Sequence, residues 1–569
     1  MTRRAFLQLL AVAAAAGLRL DARRGLAGEL SPSLYELPAF GNVALLHLTD
    51  CHAQLQPLYF REPSINLGVG SAAGRPPHLA GQTLLRRFGI ARGSFDAYAF
   101  TSLDFEAAAR MYGQVGGFAH LATLVKRLRA ERPGALLLDG GDSWQGSATA
   151  LWTRAQDMVD ASLLMGIDVM TGHWEFTYGA ARVSELIDVN LRGRIDFVAQ
   201  NVHTVDFGDP VFEPYVMREI NGVPVAIIGQ AYPYTPIAHP REFVPDWTFG
   251  IKEQNLQKCI DAARRDHARV VVLLSHSGMD VDLKLAGRLS GLDVILGGHT
   301  HDAVPAAIEV PNAGGKTLVT NAGSHGKFLA VLDLEVKGTQ VTGYRYRLLP
   351  VFSNLLPADP QMSALIAGLR APFESSLSEP LAVTQGLLYR RGNFNGSFDQ
   401  LILDALIDVQ DAQIAFSPGF RWGGALLAGE TITREHLLEH TAITYPHAML
   451  AHMTGEAIKE VLEDACDNLF NPDPYYQLGG DMLRVGGLTY ACAPNASRGS
   501  RISDLRLAGK PLEATKRYKV ASWAPLAQGA SGTPVWELVE AWLKHNRSVA
   551  TRRPNVPRLI GMRNNPGIA

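Results

Sequence analysis

Seven short runs rich in Val, Ile and Leu recur through the first 350 residues, and most are bounded by Gly or Asp. They are VALLHL (43–48), ALLLD (135–139), IDFVAQ (195–200), VPVAIIG (223–229), RVVVLLS (269–275), DVILGG (293–298) and FLAVLDLEV (328–336). None alternates strictly between polar and apolar residues, so these are strands covered on both faces. Helical patterns lie between several of them, as in FAHLATLVKRLRAER (118–132) and IKEQNLQKCIDAARRD (251–266). Strands alternating with helices in this way predict a layered α/β domain over 40–350.

A chain of 569 residues exceeds what one core holds, so further domains are expected. After residue 350 the segment 351–378, containing QMSALIAGLRAPFESSLS, reads as a linker helix. From 379 to 560 a mixed α/β domain follows. Charged residues are 19% and the net charge is −2, which excludes a general nucleic-acid binder and a polybasic membrane-surface protein.

The chain opens with Thr2-Arg3-Arg4-Ala5-Phe6-Leu7 and the apolar stretch LQLLAVAAAAGL. Paired Arg3 and Arg4 before a short apolar run form a twin-arginine signal pattern. The run is shorter than the ~18 residues that span a bilayer. A signal peptide over 1–27, cleaved after Ala27, predicts a periplasmic protein with no membrane anchor. The four cysteines, Cys51, Cys259, Cys466 and Cys492, have no CxxC spacing and form no dense framework. Cys51 is either a nucleophile or soft metal ligand, or a small buried residue at a strand end.

Ligand-type side chains collect just beyond the C-terminal ends of the strands, where α/β sheets keep their sites. Asp50 and His52 follow VALLHL, Asp142 closes LLLDGGD, and His173 lies in MTGHWEF. His276 follows VVLLS, and His299 and His301 end VILGGHTH. Two carboxylates and five imidazoles exceed the four ligands of a structural zinc. They suit two divalent ions about 3.5–4 Å apart, with Asp142 dividing its two oxygens between them. Oxygen and imidazole donors without thiolates favour manganese, iron or zinc; manganese is the expectation, with zinc as the alternative.

The D-x-H, GGD, G-[NH]-x-E (Gly172 to Glu175), lone His276 and GGHTH motifs resemble those of the calcineurin-like metallophosphoesterases, and within them the two-domain 5′-nucleotidases. The resemblance continues through SPGFR (Ser417 to Arg421), TGEAIKEVLED and GGLTY. It implies a four-layer αββα metal domain and a C-terminal 5′-nucleotidase-type domain that supplies substrate contacts across a cleft. It also implies one ion on Asp50, His52, Asp142 and His301, and another on Asp142, His173, His276 and His299.

One departure is informative. Where that family has GNHEFD, with a catalytic His oriented by the Asp, this chain has GHWEFT: His173 takes the Asn position, Trp174 replaces the His, and Thr177 replaces the Asp. Alkoxide leaving groups benefit from such an acid. A sulfur leaving group, with a thiol pKa near ~8.5, needs it far less. The segments YFREPSINLGVG, AYAFTSLDFEAAARMYGQVGGFAHLATLVKRLRA, GGDSWQGSATALWTR and GHWEFTYG closely resemble the SoxB family, thiosulfohydrolases of bacterial Sox sulfur oxidation. That resemblance implies a carrier, SoxYZ, presenting a cysteine S-thiosulfonate, from which water releases sulfate. Arg421 is the expected anion contact, with a structural ion pair as the alternative; Trp174 either walls the cleft or packs beneath it. The competing readings are a periplasmic 5′-nucleotidase, with Phe420, Tyr475 and Tyr476 stacking a base, and a non-catalytic oxyanion-binding protein.

Overall fold

A computed structural model describes residues 34–569; the expected signal peptide, with Arg3 and Arg4, lies outside the described residues. The strand Val43–Leu48 pairs in parallel with Leu136–Asp139, which continues through Val169–Met170 to Asp196–Phe197. On its other side Phe328–Lys337 and Gln340–Pro350 complete a six-stranded sheet in antiparallel fashion. A second six-stranded sheet runs in the order Ile308–Asn312, Gly315–Asn321, Val294–Gly297, Val270–Ser275, Val223–Gln230, Tyr215–Ile220, parallel at its centre and antiparallel at both edges.

Alternate residues of these strands enter different cores, which is why the runs lack polar positions. Leu45, Leu138, Val169, Ile227, Val272 and Leu296 meet between the two sheets. Their neighbours Leu46, Leu137 and Met170 face the helices Phe118–Glu131 and Gln156–Met165. On the far side Ile228, Val271, Leu273 and Ile295 face the helices Glu253–Arg265 and Met279–Arg288. The result is a four-layer αββα arrangement in which every central strand is buried on both faces.

Within the segment 351–378 the connecting helix lies in the stretch that follows VFSNLLPAD. Val351, Phe352, Leu355 and Leu356 pack into the first core, and the helix begins at Pro360, running to Arg370. Asp359 caps it, its side chain accepting the Met362 N–H at 3.0 Å, and proline fits the first turn. A short second helix, Glu374–Leu377, follows. Beyond it lie three smaller sheets and the helices Ser397–Gln410, Arg434–Thr441, Gly455–Phe470 and Val535–Asn546. The last residues return to the first half of the chain, where Ala569 N–H donates to Ser64 O at 2.9 Å and Ile568 bridges Ile65. Among the described residues no helix is long and apolar enough to cross a membrane.

Leu45 is fully buried between the sheets. Replacing it with alanine is expected to cost about 3 kcal/mol, read as a lower urea midpoint for the unfolding of this half of the chain.

Candidate metal centre

The seven residues flagged at the strand ends come together. All are buried, from 0% exposure at Asp50 and His276 to 8% at His299. Asp50, His52, Asp142 and His301 form one group of converging donor atoms, and His173, His276 and His299 form another. Asp142 Oδ2 stands between them, 3.4 Å from His52 Nε2, 3.3 Å from His173 Nδ1 and 3.7 Å from His276 Nε2. Within the first group His301 Nε2 lies 3.2 Å from Asp50 Oδ1 and 3.0 Å from His52 Nε2. In the second, His173 Nδ1 lies 3.2 Å from His276 Nε2. Donors bound about 2.0–2.2 Å from one ion stand roughly 3.0–3.6 Å from each other. The side chains therefore already hold the spacing that an ion imposes.

The hydrogen bonds around the cluster turn lone pairs inward. His52 Nδ1 is bonded to Gln145 O at 3.2 Å, His276 Nδ1 to Gly140 O at 2.7 Å, and His299 Nε2 to Leu478 O at 2.9 Å. A backbone carbonyl accepts only from N–H, so each ring's other nitrogen carries a lone pair toward the centre. Asp142 Oδ1 and His299 Nδ1 are buried without hydrogen-bond partners. Orphaned acceptors of this kind are costly unless a cation completes them. The donor set fits two divalent ions.

Electrostatics agree. Burial pushes the Asp50 carboxyl up to about 6 against the opposing pull of His276, and drives Asp142 well above the carboxylate range. Burial, reinforced by His276, lowers His52 to about 3, and His173, His299 and His301 also fall well below the usual imidazole value. His276 alone rises, to about 9, because Asp50 and Asp142 together outweigh its burial. Apart from His276, the imidazoles are held neutral, and the two carboxylates are hard to ionise without positive charge beside them.

Local backbone explains how the strand ends aim these groups. Asp50, His52, Asp142, His299 and His301 all have positive φ, between 47° and 72°. Non-glycine residues pay about 1 kcal/mol or more each in that region, a concentration of strain typical of functional sites. Gly298 cannot carry a side chain, since its Cβ would collide with Thr49 Oγ1 and crowd Asp50. Thr49 Oγ1 donates to Asp50 Oδ2 at 2.6 Å, and His299 N–H donates to both Asp50 oxygens.

Glu175 has a role the motif alone does not reveal. Fully buried, it accepts the backbone N–H groups of Asp142, Ser143, Trp144 and His173 at 2.7–3.2 Å. One carboxylate thus clamps the loops that carry two of the proposed ligands. Tyr232 was also not anticipated; its ring lies 4.0 Å from His173 and 4.3 Å from His299, and its hydroxyl donates to Leu478 O. Cys51 is fully buried in the core of the first half and belongs to neither donor group.

The centre opens into a cavity of about 230 Å³ whose opposite wall comes from the C-terminal half through Phe420, Arg421, Trp422 and residues 478–481. Trp174 both lines this cavity and packs into the C-terminal core, 4.8 Å from Trp422 and 4.5 Å from His239. Thr177 is turned away into a 2.6 Å hydrogen bond with Thr444. Arg421 stands in the wall with both readings present. It lines the cavity, yet it donates to His299 O at 3.2 Å and to Gly480 O, and its Nε lies 3.5 Å from Asp481.

A family model for the C-terminal domain of 5′-nucleotidases matches residues 382–537. The rat 5′-nucleotidase is 26% identical over 487 residues, covering 76% of this chain and 80% of that one. A 5′-nucleotidase precursor from Thermus thermophilus superposes with a TM-score of 0.73 at 22% identity, over 91% of this chain and 99% of that one. Fold, donor cluster and relatives together define a metal-dependent hydrolase of the 5′-nucleotidase superfamily. The sulfate thiohydrolase SoxB of Thermus thermophilus superposes with a TM-score of 0.88 at 36% identity, covering 93% of this chain and 98% of that one. The chain belongs to the SoxB family.

Two outcomes test the centre. Asp142→Asn is expected to lower bound metal from two ions per chain to one or fewer by elemental analysis. Glu175→Gln is expected to keep the fold but to release metal to a chelator several-fold faster, because its clamp on the loops weakens.

Proposed function

We propose that this protein is a thiosulfohydrolase that removes the terminal sulfone of a cysteine S-thiosulfonate carried by SoxYZ, releasing sulfate. The observation that carries the reading is the pair Trp174 and Thr177, which leaves no acid–carboxylate dyad at the position where phosphoester hydrolysis uses one. In the reaction the S–S bond to the sulfone sulfur breaks and that sulfur gains the oxygen of water. The carrier keeps a persulfide, and the protons pass to solvent and buffer. A persulfide departs as an anion without help, so the missing dyad costs little.

When bound, two divalent ions supply an activated water and a positive clamp for a tetrahedral oxyanion. Asp50, His52, Asp142, His173, His276, His299 and His301 are the proposed ligands. Manganese is the proposed metal, with zinc the alternative; carboxylate and imidazole donors without thiolate accept either. Trp174, Phe420 and Trp422 exclude bulk water from the anionic group, and Arg421 holds positive charge in the opposite wall. The twin-arginine pattern at Arg3 and Arg4 supports export to the periplasm, where the carrier is expected to be met.

A 5′-nucleotidase activity is the alternative, and the aromatic geometry disfavours it. Phe420 has one face covered by Trp422, with centroids 4.2 Å apart, and neither Tyr475 nor Tyr476 lines the cavity of the centre. Tyr475 is tied to Glu253 by its hydroxyl at 2.6 Å. Sulfate release from thiosulfonated carrier is expected to exceed phosphate release from AMP by orders of magnitude under the same conditions. Rapid AMP turnover with an inert carrier would reverse the assignment. Inertness toward both, with two ions bound, would favour an oxyanion-binding protein.

A further inference from the structure

Cys466 and Cys492 look unrelated in the sequence, yet the fold brings their sulfurs to 3.5 Å. Cys466 sits on the helix Gly455–Phe470 and Cys492 ends the strand Leu488–Cys492. Both are fully buried, in an apolar core with Ile458, Leu462, Tyr490 and Ile502. The other two cysteines stand apart, Cys51 in the core of the first half and Cys259 half-buried on the helix Glu253–Arg265.

The chain between the two sulfurs reaches the metal centre. It carries Leu478, whose carbonyl accepts from His299 Nε2 at 2.9 Å. It carries Gly479, whose positive φ of 70° allows it to lie against the His299 ring where a Cβ would collide. Gly480 O accepts from Arg421, and Asp481 is paired with Arg484 at 2.9 Å. Nothing covalent restrains this segment; hydrogen bonds hold it along its length, among them Asp481 N–H to Gly419 O at 2.9 Å and Met482 N–H to Asn393 O at 2.8 Å, and the helix of Cys466 and the strand of Cys492 flank it on either side in the chain.

We propose that Cys466 and Cys492 form a disulfide that fastens the base of the loop bearing Leu478 to Asp481, and through it the orientation of His299. Two S–H bonds break and one S–S bond forms. The two electrons and two protons pass to an incoming small-molecule or protein disulfide, which is reduced to two thiols. The sulfurs must approach from 3.5 Å to a bond of about 2.05 Å. Closure restricts the unfolded chain and removes freedom from the loop. Burial keeps both thiols from solvent, so exchange requires local opening and the bond is a lasting staple rather than a rapid switch.

The test does not depend on which substrate the enzyme hydrolyses. Full mature, manganese-loaded protein is equilibrated with oxidised glutathione or with dithiothreitol, then denatured, alkylated and weighed intact. The oxidised sample is expected to take two alkyl groups, on Cys51 and Cys259, and the reduced sample four, with a Cys466–Cys492 linked peptide only in the former. Four labelled thiols in both samples, or a link between other cysteines, would overturn the assignment. Metal loss to a chelator is expected to be several-fold faster in the reduced protein. The variant carrying both Cys466→Ala and Cys492→Ala should lose metal at that faster rate in either buffer. Equal release from oxidised and reduced wild-type protein would overturn the link to the loop, even with the bond present.

Discussion

The structure depends on burying two carboxylates beside five imidazoles at one edge of a double sheet. In an apolar interior such carboxylates are expensive to ionise, and lone pairs turned toward each other repel. Here Asp50 and Asp142 are buried in a cluster with donor atoms 3.0–3.7 Å apart, and Asp142 Oδ1 and His299 Nδ1 beside them have no hydrogen-bond partner. Only added positive charge makes such a cluster favourable. The left-handed backbone at five of the seven positions, the clamp of Glu175 and the absent side chain at Gly298 all serve to hold it together.

That constraint also explains the division of labour in the chain. The αββα half supplies donors because parallel strands end together at one edge, where loops can turn sharply without disturbing the cores. The C-terminal half supplies what a hydrolase needs beyond metal: aromatic walls, a buried arginine and the carbonyl of Leu478 that sets the His299 tautomer. Trp174 belongs to both, reaching from the loop of His173 into the C-terminal core. Its substitution for an acid therefore alters the seam between the halves as well as the chemistry.

Much of this was legible in the sequence because the signals are local. Apolar runs such as VPVAIIG and RVVVLLS became the strands Val223–Gln230 and Val270–Ser275, since a strand buried on both faces cannot disguise itself with polar residues. Edge strands such as Tyr215–Ile220 and Gln340–Pro350 are half exposed and mix polar with apolar residues, so they carried no comparable mark. The donors could be picked out by type and position at strand ends. What escaped is relational: that Glu175 holds four backbone N–H groups, that Tyr232 lies against two imidazoles, and that Cys492 meets Cys466 across a turn of the fold. The tail that returns to Ser64 likewise leaves no local trace.

The central claim, that these seven side chains hold two adjacent ions, is tested most directly by electron paramagnetic resonance of the manganese-loaded protein. Two ions sharing Asp142 should give the spectrum of an exchange-coupled pair at full loading. A spectrum of isolated manganese at every loading would contradict the account.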